Sequence, residues 1–314
     1  MAGGSSGQTG APDGVAAMEK PTIGAGEAVA WVAVAWVDAD GRKAAPERAA
    51  AALLAVCVHA AFSTDIAERC ELVRRVATTV LAAHPRLRDV PSLWTFPAGY
   101  FGFDAWVFGF LKRHKLDLGP SWPSLSTSDL AQIRACLRDD IRILPGGATV
   151  VLGVDHAGSV EDQYAWILRN DGEMVIPAVR RSMTGIPARK FGVGQLSCAA
   201  FVCGEGAGSR RWVNGPFDAD EYLTEPGEQL ANTDVLVIPA HGYVNGEWES
   251  PVGSNRRPLQ RGLERFSAAG AAVLAHHHEG NAHRVTEQSD WILYRRGGAN
   301  YVWVSDSDLL RVIW

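Results

Sequence analysis

The sequence predicts an α/β protein with large sheets covered by helices, and three observations carry that prediction. Apolar runs of strand length are interleaved with segments of helical spacing along most of the chain. Two of those runs flank Asn170-Asp171-Gly172, a turn signal that predicts a β-hairpin. The 314 residues are 47% hydrophobic and 21% charged, the composition of a globular protein with a substantial core.

Taken in order, residues 1–26 are small, polar and glycine-rich at the start, and read as a disordered tail. No basic segment precedes an apolar one there, so the tail does not read as a signal peptide. Ala28–Val37 has the length and Val/Trp content of a buried strand, followed by turn chemistry at Asp38–Arg42. Two alanine-rich segments come next, about Pro46–Phe62 and Asp65–Ala83, and both are expected to be helical. In the second, Ile66, Cys70, Leu72, Val73, Val76, Val80 and Leu81 recur at helical spacing.

Ser92–Pro97 reads as a strand closed by proline, and Ser128–Leu137 as a helix with Thr127 or Ser128 as its N-cap. Ala148–Val154, Asp162–Asn170 and the run from Glu173 read as strands, the last two forming the hairpin. Gly194–Cys203 and Asp234–His241 are further strands, Arg257–Ala269 a helix, and Ala271–His278 strand-like. A strand-turn-strand over Ser289–Val304 ends the pattern. With no internal repeat and no clear linker, residues 27–314 are expected to form one domain.

Composition also excludes. A net charge of -5 offers no basic field for nucleic acid or an anionic membrane. The longest early apolar run is about ten residues, short of the roughly 20 needed for a membrane helix. The five cysteines are odd in number and irregular in spacing, which favours reduced thiols in a cytoplasmic compartment.

The chemistry centres on "FVCGEG", where Cys203 ends an apolar run and Gly204 follows it. Sites in α/β proteins form beyond the carboxyl ends of strands. A thiol there can be activated by a neighbouring cation, while turn amides stabilise an oxyanion. Cys198, five residues earlier, falls on the opposite strand face and is assigned to the core.

The surrounding residues carry a resemblance. "AAFVCGEG" resembles the nucleophile segment of the nitrilase (carbon–nitrogen hydrolase) superfamily, and the likeness extends along most of residues 27–304. "LWTFPAGYF", "DQYAWILRNDGEMVIPAVRRSM", "TDVLVIPAH" and "RFSAAGAAVLAHHHEG" resemble successive segments of that family in order. The resemblance implies a four-layer α-β-β-α sandwich, a homodimer, and a small-molecule amide, nitrile or carbamoyl substrate. It also implies a Cys nucleophile, a Glu base and a Lys that stabilises the tetrahedral intermediate, with no cofactor.

Two of these three positions differ here. Ala98 stands where the family has its base, and Arg181 where it has its lysine. Arginine keeps the charge but cannot shuttle a proton at neutral pH. Lys190 is an alternative cation, and Glu205 is expected to pair with a nearby one. His241, ending a predicted strand, is the first replacement base to consider, ahead of Asp104, His156 and Glu205. A catalytically degenerate protein that binds ligand or serves as an oligomeric scaffold is the alternative reading.

"HHHEGNAH" places His276 and His278 on one strand face, with His283 beyond. Its spacing matches no zinc motif, so His276 is read as a pocket residue and no metal is expected. Neither "GVGQ" nor "CGEGAG" is followed by the G-K-[ST] of a phosphate loop.

Overall fold

The computed structural model describes residues 28–59, 65–101, 127–141, 144–155, 163–177, 188–200, 233–239, 270–275, 277–278, 292–295, 301–303 and 309–313. The fold is α/β. Strands β1 (Ala28–Val37), β2 (Ala51–His59), β3 (Ser92–Thr95), β4 (Ala148–Asp155), β5 (Gln163–Arg169), β6 (Gly172–Pro177) and β14 (Leu309–Ile313) form one sheet, ordered β14-β1-β2-β3-β4-β5-β6. The second sheet has the order β13-β12-β10-β9-β8-β7. Its strands are β7 (Lys190–Val193), β8 (Leu196–Ala200), β9 (Val235–Pro239), β10 (Ala271–Ala275), β12 (Ile292–Arg295) and β13 (Tyr301–Trp303).

Between the sheets lies a core in which Trp31, Leu53, Leu93, Val151 and Ile167 of the first meet Phe191, Leu196, Cys198, Val237 and Val273 of the second. The other face of the first sheet is covered by α1 (Ile66–Ala83), with Ile133 and Leu137 of α2 (Thr127–Ile141) in the same cluster. Helix, sheet and sheet are therefore three packed layers. The helix expected at Arg257–Ala269 lies outside the described residues.

Helix α1 starts where Asp65 accepts hydrogen bonds from the Ala67 and Glu68 amides, at 2.8 and 3.1 Å. Its predicted apolar stripe is buried: Cys70, Leu72, Val73, Val76, Val80 and Leu81 all face the sheet. Each large aliphatic side chain so buried contributes roughly 1.5–3 kcal/mol.

The first alanine-rich segment is a correction. Ala51–His59 is a central strand, preceded by a short 3-10 turn at Pro46–Arg48. Every residue from Ala51 to Val58 is fully buried, because sheet and helix sandwich the strand from both sides. A strand covered on both faces loses the alternation that marks strands, and alanine's helix propensity then misleads. Two strands also escaped the sequence reading. β7 precedes the turn at Gly194, and β14, beyond the expected last strand, returns to pair antiparallel with β1.

Strand direction positions the site. β2, β3 and β4 are mutually parallel, as are β8, β9 and β10. After β10 the chain enters β11 (His277–His278), which leaves the second sheet and pairs parallel with Val58 and His59 of β2. That crossing aligns the two parallel sets, so the carboxyl ends of both gather at one end of the sandwich. The opposite end is tied backbone to backbone. Asp234 O accepts from the Gly270 and Ala271 amides at 2.8 and 3.2 Å, and a Cβ on Gly41 would meet that same oxygen at 2.6 Å. Gly41 has φ +71, so glycine serves both the turn and the close approach.

Candidate active site

The strands that precede the segments with the predicted chemistry stop at one end of the sandwich. β8 stops at Ala200, three residues before Cys203, and β9 stops at Pro239, two before His241. β6 runs parallel to β4 through two antiparallel pairings and stops at Pro177, four residues before Arg181. His276 is the residue between β10 and β11. Cys203, Arg181, His241, Glu205 and His276 themselves lie outside the described residues, as do Asp104, His156 and His283.

Ala98 is described in full, and it is buried at 2% exposure. Beyond β3 the chain stays attached to β4. The Gly153 amide donates to Pro97 O at 3.1 Å, the Tyr100 amide donates to Gly153 O at 2.9 Å, and Phe101 bridges to Val154. Gly99, at φ +62, makes the bend. The aromatic residues of this segment turn toward α1. Tyr100 packs edge-on to Phe96 and Phe101 at 5.1 and 5.0 Å, donates its hydroxyl to Arg69 O at 2.6 Å, and sits 5.2 Å below the Arg69 guanidinium. Position 98, where the sequence resemblance leads one to expect a base, is thus a small buried methyl held against β4.

Lys190 is exposed at the start of β7, in register with Ala199. The buried cation is its neighbour. Arg189 is 1% exposed, its Nη1 donates to Ala200 O at 3.3 Å, and the Ala200 amide donates to Arg189 O at the same distance. Sequence reasoning passed over Arg189, yet the signal was present. In Arg189-Lys190-Phe191-Gly192-Val193 the arginine shares strand parity with Phe191 and Val193, which both face the inter-sheet core.

Other polar atoms line that interior near the same end. Thr95, the last residue of β3, shares parity with Leu93 of the inter-sheet core, and its Oγ1 is buried with no hydrogen-bond partner. Trp31 stands in register with Cys57, and its Nε1 is in the same condition. Ala55, Ala165 and Ala200 are small residues of the same inter-sheet core.

Two thiols of the inter-sheet core are held in the protonated form. Burial pushes the Cys57 thiol well up, and burial followed by the Asp234 charge raises that of Cys198. Cys198 is completely buried between the sheets, as its parity predicted.

A groove of about 450 Å³ lies at the far end, between α2 and the β5–β6 turn. Two of its three arginines are engaged in ion pairs, Arg134 with Glu173 at 3.0 Å and Arg169 with Asp171 at 3.2 Å. It is remote from the carboxyl ends of the parallel strands. Among the described residues no group of three or more His, Cys, Asp or Glu could hold a metal, and no helix is long and apolar enough to cross a membrane.

No family model matches the sequence, and no curated protein does. Among solved structures, a variant of Nesterenkonia AN1 amidase from the nitrilase superfamily superposes with a TM-score of 0.47 at 14% identity, covering 83% of this chain and 86% of that one. A second variant of the Nesterenkonia sp. AN1 amidase, showing Michael addition of acrylamide at its active-site cysteine, gives 0.46 at 14%, covering 84% and 89%. The crystal structure of an amidase from Nesterenkonia sp. gives 0.46 at 13%, covering 83% and 86%. The fold is similar to theirs. At this distance the likeness concerns the course of the chain; the adduct and the reacting cysteine belong to those amidases.

Proposed function

We propose that this chain is a carbon–nitrogen hydrolase-like protein that performs thiol-nucleophile acyl chemistry on a small amide, nitrile or carbamoyl compound. The observation that supports it most is the convergence of the carboxyl ends of β3, β8 and β9 at one end of the sandwich. These are the strands that lead to Ala98, Cys203 and His241. The sequence resemblance implies two of these strand ends, those that lead to Ala98 and Cys203.

For an amide substrate, the Cys203 thiolate adds to the carbonyl carbon, and the carbonyl π electrons move to oxygen. Arg181 is the cation for that oxyanion. Collapse breaks the C–N bond, the amine leaves with the proton taken from the thiol, and a thioester remains. Water then adds to the thioester, releasing the acid and returning the proton to sulfur. With alanine at position 98, the proton carrier in this reading is His241, whose ordinary pKa suits transfer near pH 7. Glu205 and Lys190 are supporting charges, His276 lines the pocket, and no cofactor takes part. A cytoplasmic homodimer completes the reading.

The buried methyl of Ala98 favours a second reading, in which the fold binds a ligand or scaffolds an oligomer without hydrolysis. Replacement of single cysteines separates the two. Cys203→Ala is expected to abolish turnover of a panel of small amides and nitriles, and Cys198→Ala to retain it. Equal effects of both variants would sink the nucleophile assignment, and no turnover by the unmodified protein would favour the scaffold.

A further inference from the structure

We propose that the groove between α2 and the β5–β6 turn is a binding site for a small organic phosphate monoester, held by Arg134 and Arg138. The proposal is independent of the chemistry assigned to the other end of the sandwich.

The cations come from one helix face. Arg134 and Arg138 are four residues apart on α2, and both line the groove of about 450 Å³. That volume falls within the range of small-molecule sites. Two contacts fix the Arg134 guanidinium: its carbon lies 5.2 Å from the centre of the Trp166 ring, and Nη2 meets Glu173 at 3.0 Å. Its other N–H groups have no partner among the described residues. Arg138 is exposed and makes no hydrogen bond or ion pair among them. Like charges at this helical spacing repel, and an anion seated between them removes that cost.

The rest of the lining sets the ligand class. Three guanidiniums face two carboxylates, which leaves one positive charge in excess. Asp171 is 76% exposed, so water and salt screen its charge, and Glu173 is engaged by Arg134. Leu137 and Leu168 add an apolar wall beside the cations. An anion carrying an apolar group meets both surfaces. Two neighbouring guanidiniums suit a tetrahedral dianion, whose three terminal oxygens accept from both, whereas a single guanidinium fork satisfies the two oxygens of a carboxylate.

The test is calorimetric titration of the full chain with phenyl phosphate at constant ionic strength. One saturable site with a Kd below about 1 mM is expected. Arg138→Gln should weaken it at least about tenfold, through loss of a charge-assisted hydrogen bond. Glu173→Gln releases Arg134 and should tighten it about threefold. Arg88→Gln, at an exposed arginine of the 3-10 turn Pro85–Arg88, should change it by less than about twofold. The opposite signs at Arg138 and Glu173 separate loss of charge from loss of fold, and thermal unfolding of each variant confirms that it is folded. Absence of saturable binding up to about 10 mM overturns the proposal. So does an Arg138→Gln loss no greater than that of Arg88→Gln, a weakening by Glu173→Gln, or benzoate bound as tightly as phenyl phosphate.

Discussion

Gly153 and Ala98 are packed backbone to backbone. A Cβ placed on Gly153 would come within 2.1 Å of Ala98 Cα and 2.7 Å of both Ala98 N and Pro97 O. This contact, with the hydrogen bonds of Gly153 to Pro97 and Tyr100, fixes the segment after β3 on β4. Position 98 is therefore set by the sheet, and any side chain there starts from a rigid Cα.

Gly153→Ala is expected to destabilise the fold by about 1–3 kcal/mol, because the backbone of β3's extension must shift to admit a methyl. Gly146→Ala is the control, since a Cβ there meets nothing within 4 Å and should change stability by less than about 0.5 kcal/mol. Urea unfolding of the two variants checks the difference.

Ala98→Glu tests whether position 98, where the sequence resemblance implies a base, faces the reacting centre of the proposed chemistry. A carboxylate there should raise small-amide hydrolysis at least about tenfold at pH 7, a conservative share of what a positioned general base supplies. Ala98→Gln, its neutral near-isostere, should give no gain. Similar rates from both variants, measured by amine release, would mean that position 98 no longer faces the chemistry.

Tyr100→Phe removes the hydroxyl that donates to Arg69 O at 2.6 Å and leaves that carbonyl without this donor. The expected loss is about 1–2 kcal/mol, with the sheets otherwise intact. Denaturant midpoints compared at equal slope measure it.

The two buried thiols predict alkaline sensitivity. Cys57 and Cys198 hold their protons in the folded state above the ordinary value of 9.0, while the unfolded chain releases them. The unfolded state then binds fewer protons, so stability is unaffected below about pH 8.5–9 and falls as pH rises beyond it. At one unit above the unfolded pKa each thiol accounts for about 1.4 kcal/mol. Replacing both by alanine should flatten this slope between pH 8 and 10, measured by urea unfolding at each pH.

Much of this was legible in the sequence, for identifiable reasons. Strands bounded by turn chemistry, such as Ala28–Val37 and the pair around Asn170-Asp171-Gly172, were marked by local residues alone. Helix α1 was marked by its apolar stripe. Ala51–His59 was misread because its partners on both faces come from elsewhere in the chain, and its own residues show no period. β14 was missed because only pairing with β1, far away in sequence, makes Leu309–Ile313 a strand. Near β8, Lys190 is exposed and its neighbour Arg189 is buried, a difference that only packing reveals.

By itself, then, the sequence determined the alternation of elements, the apolar faces that must be covered, and the residue types capable of chemistry. Those are local properties of side-chain period, turn residues and titratable groups. Tertiary structure alone decided which strand ends share one end of the sandwich, because the crossing of β10 into β11 beside β2 aligns the two parallel sets. It also decided that Arg189 is buried against Ala200 and that Ala98 is held on Gly153. Burial and close approach are relations between distant segments, and they arise only once the chain has packed.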